Sequence, residues 1–175
     1  MAALAAFGVE ALALAVRGGV RIKIVPSGRH FARCSPAVAA LVPDIDRWQA
    51  PPAGLFVLEE RLVLLRAGAL RMAAAHEFAH ALDALLAARQ RSYFSFESED
   101  IRSAYASASG FVNEYAASGL DEYFAESVRA YLEINDDRSC WLPLTRKMLF
   151  TRDARMFQIV DALFRSGRLS RSRPR

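Results

Sequence analysis

Cysteine and histidine are both scarce in this chain. Its 175 residues hold two cysteines, Cys34 and Cys140, and neither sits in a Cys-x-x-Cys pair. That excludes a disulfide-built scaffold and a thiolate metal knuckle. One Cys34–Cys140 bridge is possible, and two unpaired thiols are the preferred expectation. No apolar run reaches the length of a membrane span: the Ala/Leu-rich stretch from Met1 to Val16 is too short. It has no basic leader and carries Glu10, so it is expected to be an amphipathic helix and not a signal peptide. The compartment stays open between the cytoplasm and export by a non-Sec route. Internal repeats and low-complexity segments are also lacking, which excludes solenoids and disordered arrays.

A basic body is missing too. The net charge is +4, yet Arg165, Arg168, Arg171, Arg173 and Arg175 lie in a final stretch without an acid. Without that stretch 18 basic residues face 19 acidic ones. The high pI therefore belongs to an end segment, and no nucleic-acid partner is expected. Residues 1–164 are read as one domain and 165–175 as a basic, disordered tail. The oligomeric state is not legible.

The expected elements run in order. A helix over Ala2 to Val16 ends at Gly18-Gly19. The alternation in Val20 to Val25 predicts a half-exposed strand. Pro36 to Leu41 gives a short helical turn, and the proline-rich stretch from Pro43 to Gly54 a loop. Leu55 to Leu58 and Arg61 to Leu65, joined by Glu59-Glu60, predict a hairpin. A helix follows from Gly68 to Arg89, then a loop over Gln90 to Glu99. Helices are expected from Ser98 to Ala106, Leu120 to Ile134 and Thr151 to Phe164. The fold class is α+β: a small N-terminal sheet with a hairpin packed on a central helix, and a mainly helical C-terminal half.

Of the three histidines, two share that central helix, in His76-Glu77-Phe78-Ala79-His80. Residues four apart on a helix stand one turn above each other, so both imidazoles can reach one zinc ion. Glu77 is then placed to act as general base on a water at the open position of the metal. A catalytic zinc wants a third protein ligand. No histidine follows at short range, and His30 precedes the motif as a core or surface residue. The third ligand should be a carboxylate on a later helix. Glu122 is the first choice, with Glu126 one turn on, where a ligand-histidine N–H could hold it. Glu114, in Asn113-Glu114-Tyr115-Ala116-Ala117-Ser118, is the rival, since its Asn-Glu start superficially resembles a thermolysin-type ligand segment. Asp83 can bond a ligand histidine or a loop. The hairpin offers an edge for an extended peptide substrate, with Arg61 to Leu65 as the expected edge strand.

The stretches His76 to Asp83, Phe111 to Ala116 and Asp121 to Glu126 together resemble the catalytic domain of the anthrax lethal factor family, to which the clostridial Pro-Pro endopeptidases are similar. The resemblance spans roughly Leu55 to Phe164, weakly at its end. It implies a zincin-like domain and a gluzincin-type zinc metalloendopeptidase holding one zinc. His76, His80 and Glu122 would be ligands and Glu77 the base. Tyr115, seven residues before Glu122, would stabilise the oxyanion, and Glu126 would support a zinc histidine. Ala79 departs from the glycine common in the family; alanine favours a helix and leaves the ligands in place. The resemblance does not extend to the cell-penetration and targeting domains of the longer toxins. The alternative function is a zinc-binding peptide-interaction or protein-interaction domain without catalysis.

Overall fold

The computed structural model describes residues 2–69, 71–137, 142–165 and 169. The expected disordered tail falls outside the described residues apart from Arg165 and Leu169, and so does Cys140 with the question of its pairing. The architecture is α+β, a small sheet followed by a largely helical half, as the sequence predicts.

The first expected helix is two, α1 (Ala2–Ala5) and α2 (Gly8–Arg17). The break serves Phe7, whose ring turns inward edge-on to Phe78 at 4.8 Å. Gly8, at a φ of 81°, takes the bend that a side chain would resist. Strand β1 (Arg21–Val25) follows, then α3 (Pro36–Leu41). Ser35 caps α3 by accepting from the N–H of Val38, and the proline sits in its first turn.

Strands β2 (Gly54–Val57) and β3 (Leu62–Arg66) form the predicted antiparallel hairpin. The link between them is a 3₁₀ turn ending in left-handed Arg61. β1 pairs with β3 in parallel, so the order is β1-β3-β2. This corrects one expectation: the Arg61 to Leu65 strand is the centre of the sheet, not its edge. The reason is burial. Leu62 to Leu65 is apolar without alternation because both faces of β3 are covered. One face packs on the central helix through Phe56, Val63, Leu65 and Ala81; the other covers Phe31, Val38 and Ile45.

The central helix α4 (Arg71–Leu86) is followed by α5 (Phe94–Glu97), a single turn inside the expected loop. Ser98 caps α6 (Glu99–Ser107). α7 (Leu120–Tyr131) packs on α4 more extensively than any other element does. The expected last helix is again two, α8 (Arg146–Arg152) and α9 (Ala154–Arg165). Asp153 divides them: its carboxylate accepts from the N–H of Met156, a cap, and from the phenol of Tyr123. Among the described residues no helix is long and apolar enough to cross a membrane.

Candidate metal centre

α4 has apolar residues nearly all round because it runs through the middle of the molecule. Its buried residues include His76, 8% exposed, and His80, 7% exposed. The i,i+4 spacing brings the two Nε2 atoms to 3.0 Å. From the facing helix α7, Glu122 presents Oε2 3.0 Å from Nε2 of His76 and 3.5 Å from Nε2 of His80. That carboxylate oxygen is buried without a hydrogen bond among the described residues. Two imidazole nitrogens and a carboxylate oxygen thus converge on one point, and the group can hold a metal ion. Glu114, the rival, is exposed at the start of the 3₁₀ turn Tyr115–Ala117 and stands outside this cluster.

Behind His76 lies a chain of buried polar contacts. Its Nδ1 is 2.8 Å from Oε1 of Glu126, the carboxylate expected to support a ligand histidine. Glu126 in turn accepts from Nε of Arg129 at 3.1 Å, from its Nη2 at 2.7 Å and from the side-chain amide of Asn113. An acceptor at Nδ1 fixes the ring and turns Nε2 toward the cluster. Sequence reasoning missed Arg129 and Asn113 in these roles. Arg129 had a signal, an i,i+3 partner for an acid on a buried helix face. Asn113 was noticed only as part of the rival ligand segment.

The charges follow from these contacts. Burial works against a charged His76, but the carboxylates of Glu122 and Glu126 outweigh it and push its pKa up to about 10. Burial likewise opposes ionisation of Glu122 and Glu126, yet His76 and His80 hold the first well below the usual carboxylate range, and His76 and Arg129 lower the second. The cluster therefore demands positive charge at its centre, which is where a cation would sit.

Glu77 lies beside the histidines on α4 and outside the group of three. Burial raises its pKa, partly offset by His76, His80 and a hydrogen bond from the backbone N–H of Phe56. Its neighbour is β2, one edge of the sheet. A Cβ built on Gly54 would come 2.6 Å from Cγ of Glu77, a closeness that only glycine permits. The edge strand beside the site is thus β2, not the one expected.

Tyr115 is 49% exposed, with its ring 5.5 Å from that of His76. Its hydroxyl donates to Oε1 of Glu122 at 3.0 Å. Burial together with Glu122 raises its pKa, so the phenol keeps its proton. Asp83 chose the loop over the ligand: its two oxygens accept from the N–H of Ser95 at 2.8 Å and from its hydroxyl at 2.6 Å. His30 is at the surface, with Nδ1 3.7 Å from Asp46. A scan against models of known protein families finds no match to this chain, and a search of curated proteins finds none either.

Proposed function

We propose that the chain is a zinc metalloendopeptidase of the lethal factor-like, gluzincin type. The observation that carries this reading is the convergence of His76, His80 and Glu122 with Glu77 alongside. On a tetrahedral zinc with bonds of about 2.0–2.1 Å, ligand atoms stand roughly 3.3 Å apart. The separations of 3.0 to 3.5 Å suit that ion. The family kinship is supported by the same set: Tyr115 bonded to the carboxylate seven residues on, and Glu126 bonded to His76.

Zinc held there would acidify a water and polarise a peptide carbonyl. Glu77, with its raised pKa, takes the proton of the attacking water and passes it to the leaving amine. The phenol of Tyr115 donates to the oxyanion as it forms. An extended peptide lies along the outer edge of β2 and pairs with it as a further strand.

Zinc per chain is the first test, with His80→Ala alongside, followed by cleavage of a mixed peptide pool by wild type and Glu77→Gln. The reading expects one zinc per wild-type chain, lost in His80→Ala, and peptide cleavage that Glu77→Gln abolishes while keeping the metal. Zinc with no cleavage in either protein would favour a peptide-binding domain. No zinc after reconstitution at neutral pH would overturn both.

A further inference from the structure

β1 forms the edge of the sheet opposite β2. The N–H of Arg21 donates to the carbonyl of Arg61 at 2.9 Å, and the carbonyl of Val25 accepts from the N–H of Ala67 at 2.8 Å. In a parallel ladder alternate residues face the partner strand. Arg21, Lys23 and Val25 therefore bond toward β3, and Ile22 and Ile24 turn their N–H and C=O groups outward. Among the described residues no strand pairs with that side. All of β1 but Val25 is exposed.

The side chains divide between the two faces. Ile22, 42% exposed, and Ile24, 58% exposed, share one face, and Arg21 and Lys23 share the other. The two cations line a groove of about 620 Å³ whose other walls include Cys34, Pro36, Glu60 and Leu62. The guanidinium of Arg21 donates to the backbone carbonyl of Glu60 at 3.3 Å, and the ammonium of Lys23 to that of Cys34 at 3.4 Å. Both cations are thus bonded to neutral carbonyls, and among the described residues neither makes an ion pair. Glu60, the acid in the groove, is turned to the start of α3. There it accepts from the hydroxyl of Ser35 at 2.6 Å and from the N–H of Ala37 at 2.8 Å.

Proline or a bulge commonly blunts such an edge, and Arg21–Val25 has neither. Its cations work against a second copy of the chain. In an antiparallel pair of β1 strands centred on Lys23, Lys23 faces Lys23; centred on Ile22, Arg21 faces Lys23. Centred on Ile24, Ile22 faces Pro26, which has no N–H to give. The arginine-rich stretch 165–175 has the wrong sign as well.

We propose that the β1 edge is a docking site for an extended segment of a partner protein in which acidic and apolar residues alternate. The segment adds an antiparallel strand at Ile22 and Ile24. Its acids meet Arg21 and Lys23 in the groove, and its apolar side chains cover the two isoleucines. Docking here requires neither a metal nor cleavage, so it stands apart from the peptidase reading.

The test uses the full chain and end-capped fluorescent peptides. One alternates glutamate with valine, one alternates lysine with valine, and a third is the glutamate peptide N-methylated at its valines. Anisotropy titrations are expected to show the glutamate peptide binding at least about tenfold more tightly than the lysine peptide, since two attractive pairs replace two repulsive ones. N-methylation removes the donors that would reach Ile22 and Ile24 and should abolish binding. In Lys23→Glu the preference for glutamate should vanish; in Lys23→Arg it should persist. Both substitutions are at an exposed position, and thermal melts show that the variants are folded. Equal binding of the first two peptides, a preference unchanged in Lys23→Glu, or undiminished binding of the N-methylated peptide would each overturn the proposal. Equally tight binding of a thymidine oligonucleotide would reduce the surface to a plain cationic patch and overturn it too. A dimer of the chain alone whose stability changes in Lys23→Glu would give the edge to a second copy instead.

Discussion

The phenol of Tyr115 donates to Glu122, the carboxylate that shares a focus with His76 and His80. One residue from a 3₁₀ turn thus reaches a candidate metal ligand on the helix that follows. Tyr115→Phe removes this bond and the proposed oxyanion donor together. Turnover is expected to fall by about 10²-fold, the scale of a lost oxyanion donor. Zinc content should stay near wild type because the Glu122 ligand atom is the other oxygen. Steady-state kinetics on one cleaved peptide, paired with elemental analysis, decides it. Unchanged kcat would remove Tyr115 from the chemistry.

Gly54 offers a sharper probe of the edge strand. In Gly54→Ala the new methyl would meet Cγ of Glu77 at 2.6 Å and Cδ2 of Leu65 at 2.9 Å. The expected stability loss is about 1–3 kcal/mol, the range of small overpacking. Activity should fall further than stability explains, because Glu77 is the group displaced. Denaturant titration and kcat/KM on the same samples separate the two effects. Full activity would show that Glu77 does not depend on this contact.

Asp83 gives a pH signature. Burial pushes its carboxyl up to about 7, against the hydrogen bonds from Ser95, from an ordinary value of 3.8. The folded chain therefore keeps a proton that the unfolded chain releases. The stability from this group is fully present below about pH 4 and is lost as pH rises through about 7. Asp83→Asn cannot titrate, so wild type should lose up to about 4 kcal/mol relative to it across that interval. Urea titrations of both proteins at several pH values test this. Parallel stability profiles would contradict the prediction.

Metal removal should show in stability as well as in activity. A ligand bound only by the folded chain stabilises it by about 2.7 kcal/mol at a hundredfold excess over its Kd. Chelation is expected to lower Tm in wild type and to do nothing in Glu122→Gln, which loses the carboxylate oxygen at the centre. Scanning calorimetry with and without chelator reads both. A drop of equal size in the variant would place the metal elsewhere.

The parts of the site carried by one helix were legible because helical spacing is local. His76, Glu77 and His80 share a helix, and Glu122 and Glu126 share another, so sequence distance translates into position. The fold class was legible for a similar reason, in the periodicity of the long helices. The identity of the edge strand was not, because sheet order is set by which distant strand docks where. The unbroken apolar run Leu62 to Leu65 did carry a hint, since a strand buried on both faces belongs in the middle. Asp153 divides the final helices without a glycine or proline to mark the place, and its role depends on Tyr123 from another element. Asp83 holds Ser95 from twelve residues away by two hydrogen bonds, a tie that no local spacing marks in the chain.

The parallel pairing of β1 with β3 also sets an order of assembly. Val57 finds Leu62 across a short turn, so the β2–β3 hairpin can close early. Arg21 must find the same Leu62 across a long intervening chain, a slow search because a large loop is closed before any contact rewards it. The edge beside Glu77 is thereby expected to exist before the sheet is complete. Nascent chains that stall with β1 undocked would leave both sides of β3 unequal, one paired and one open to other chains. For this protein the hazard during synthesis lies at β3, on the side that β1 comes to cover, and a refolding yield that falls with concentration would be its mark.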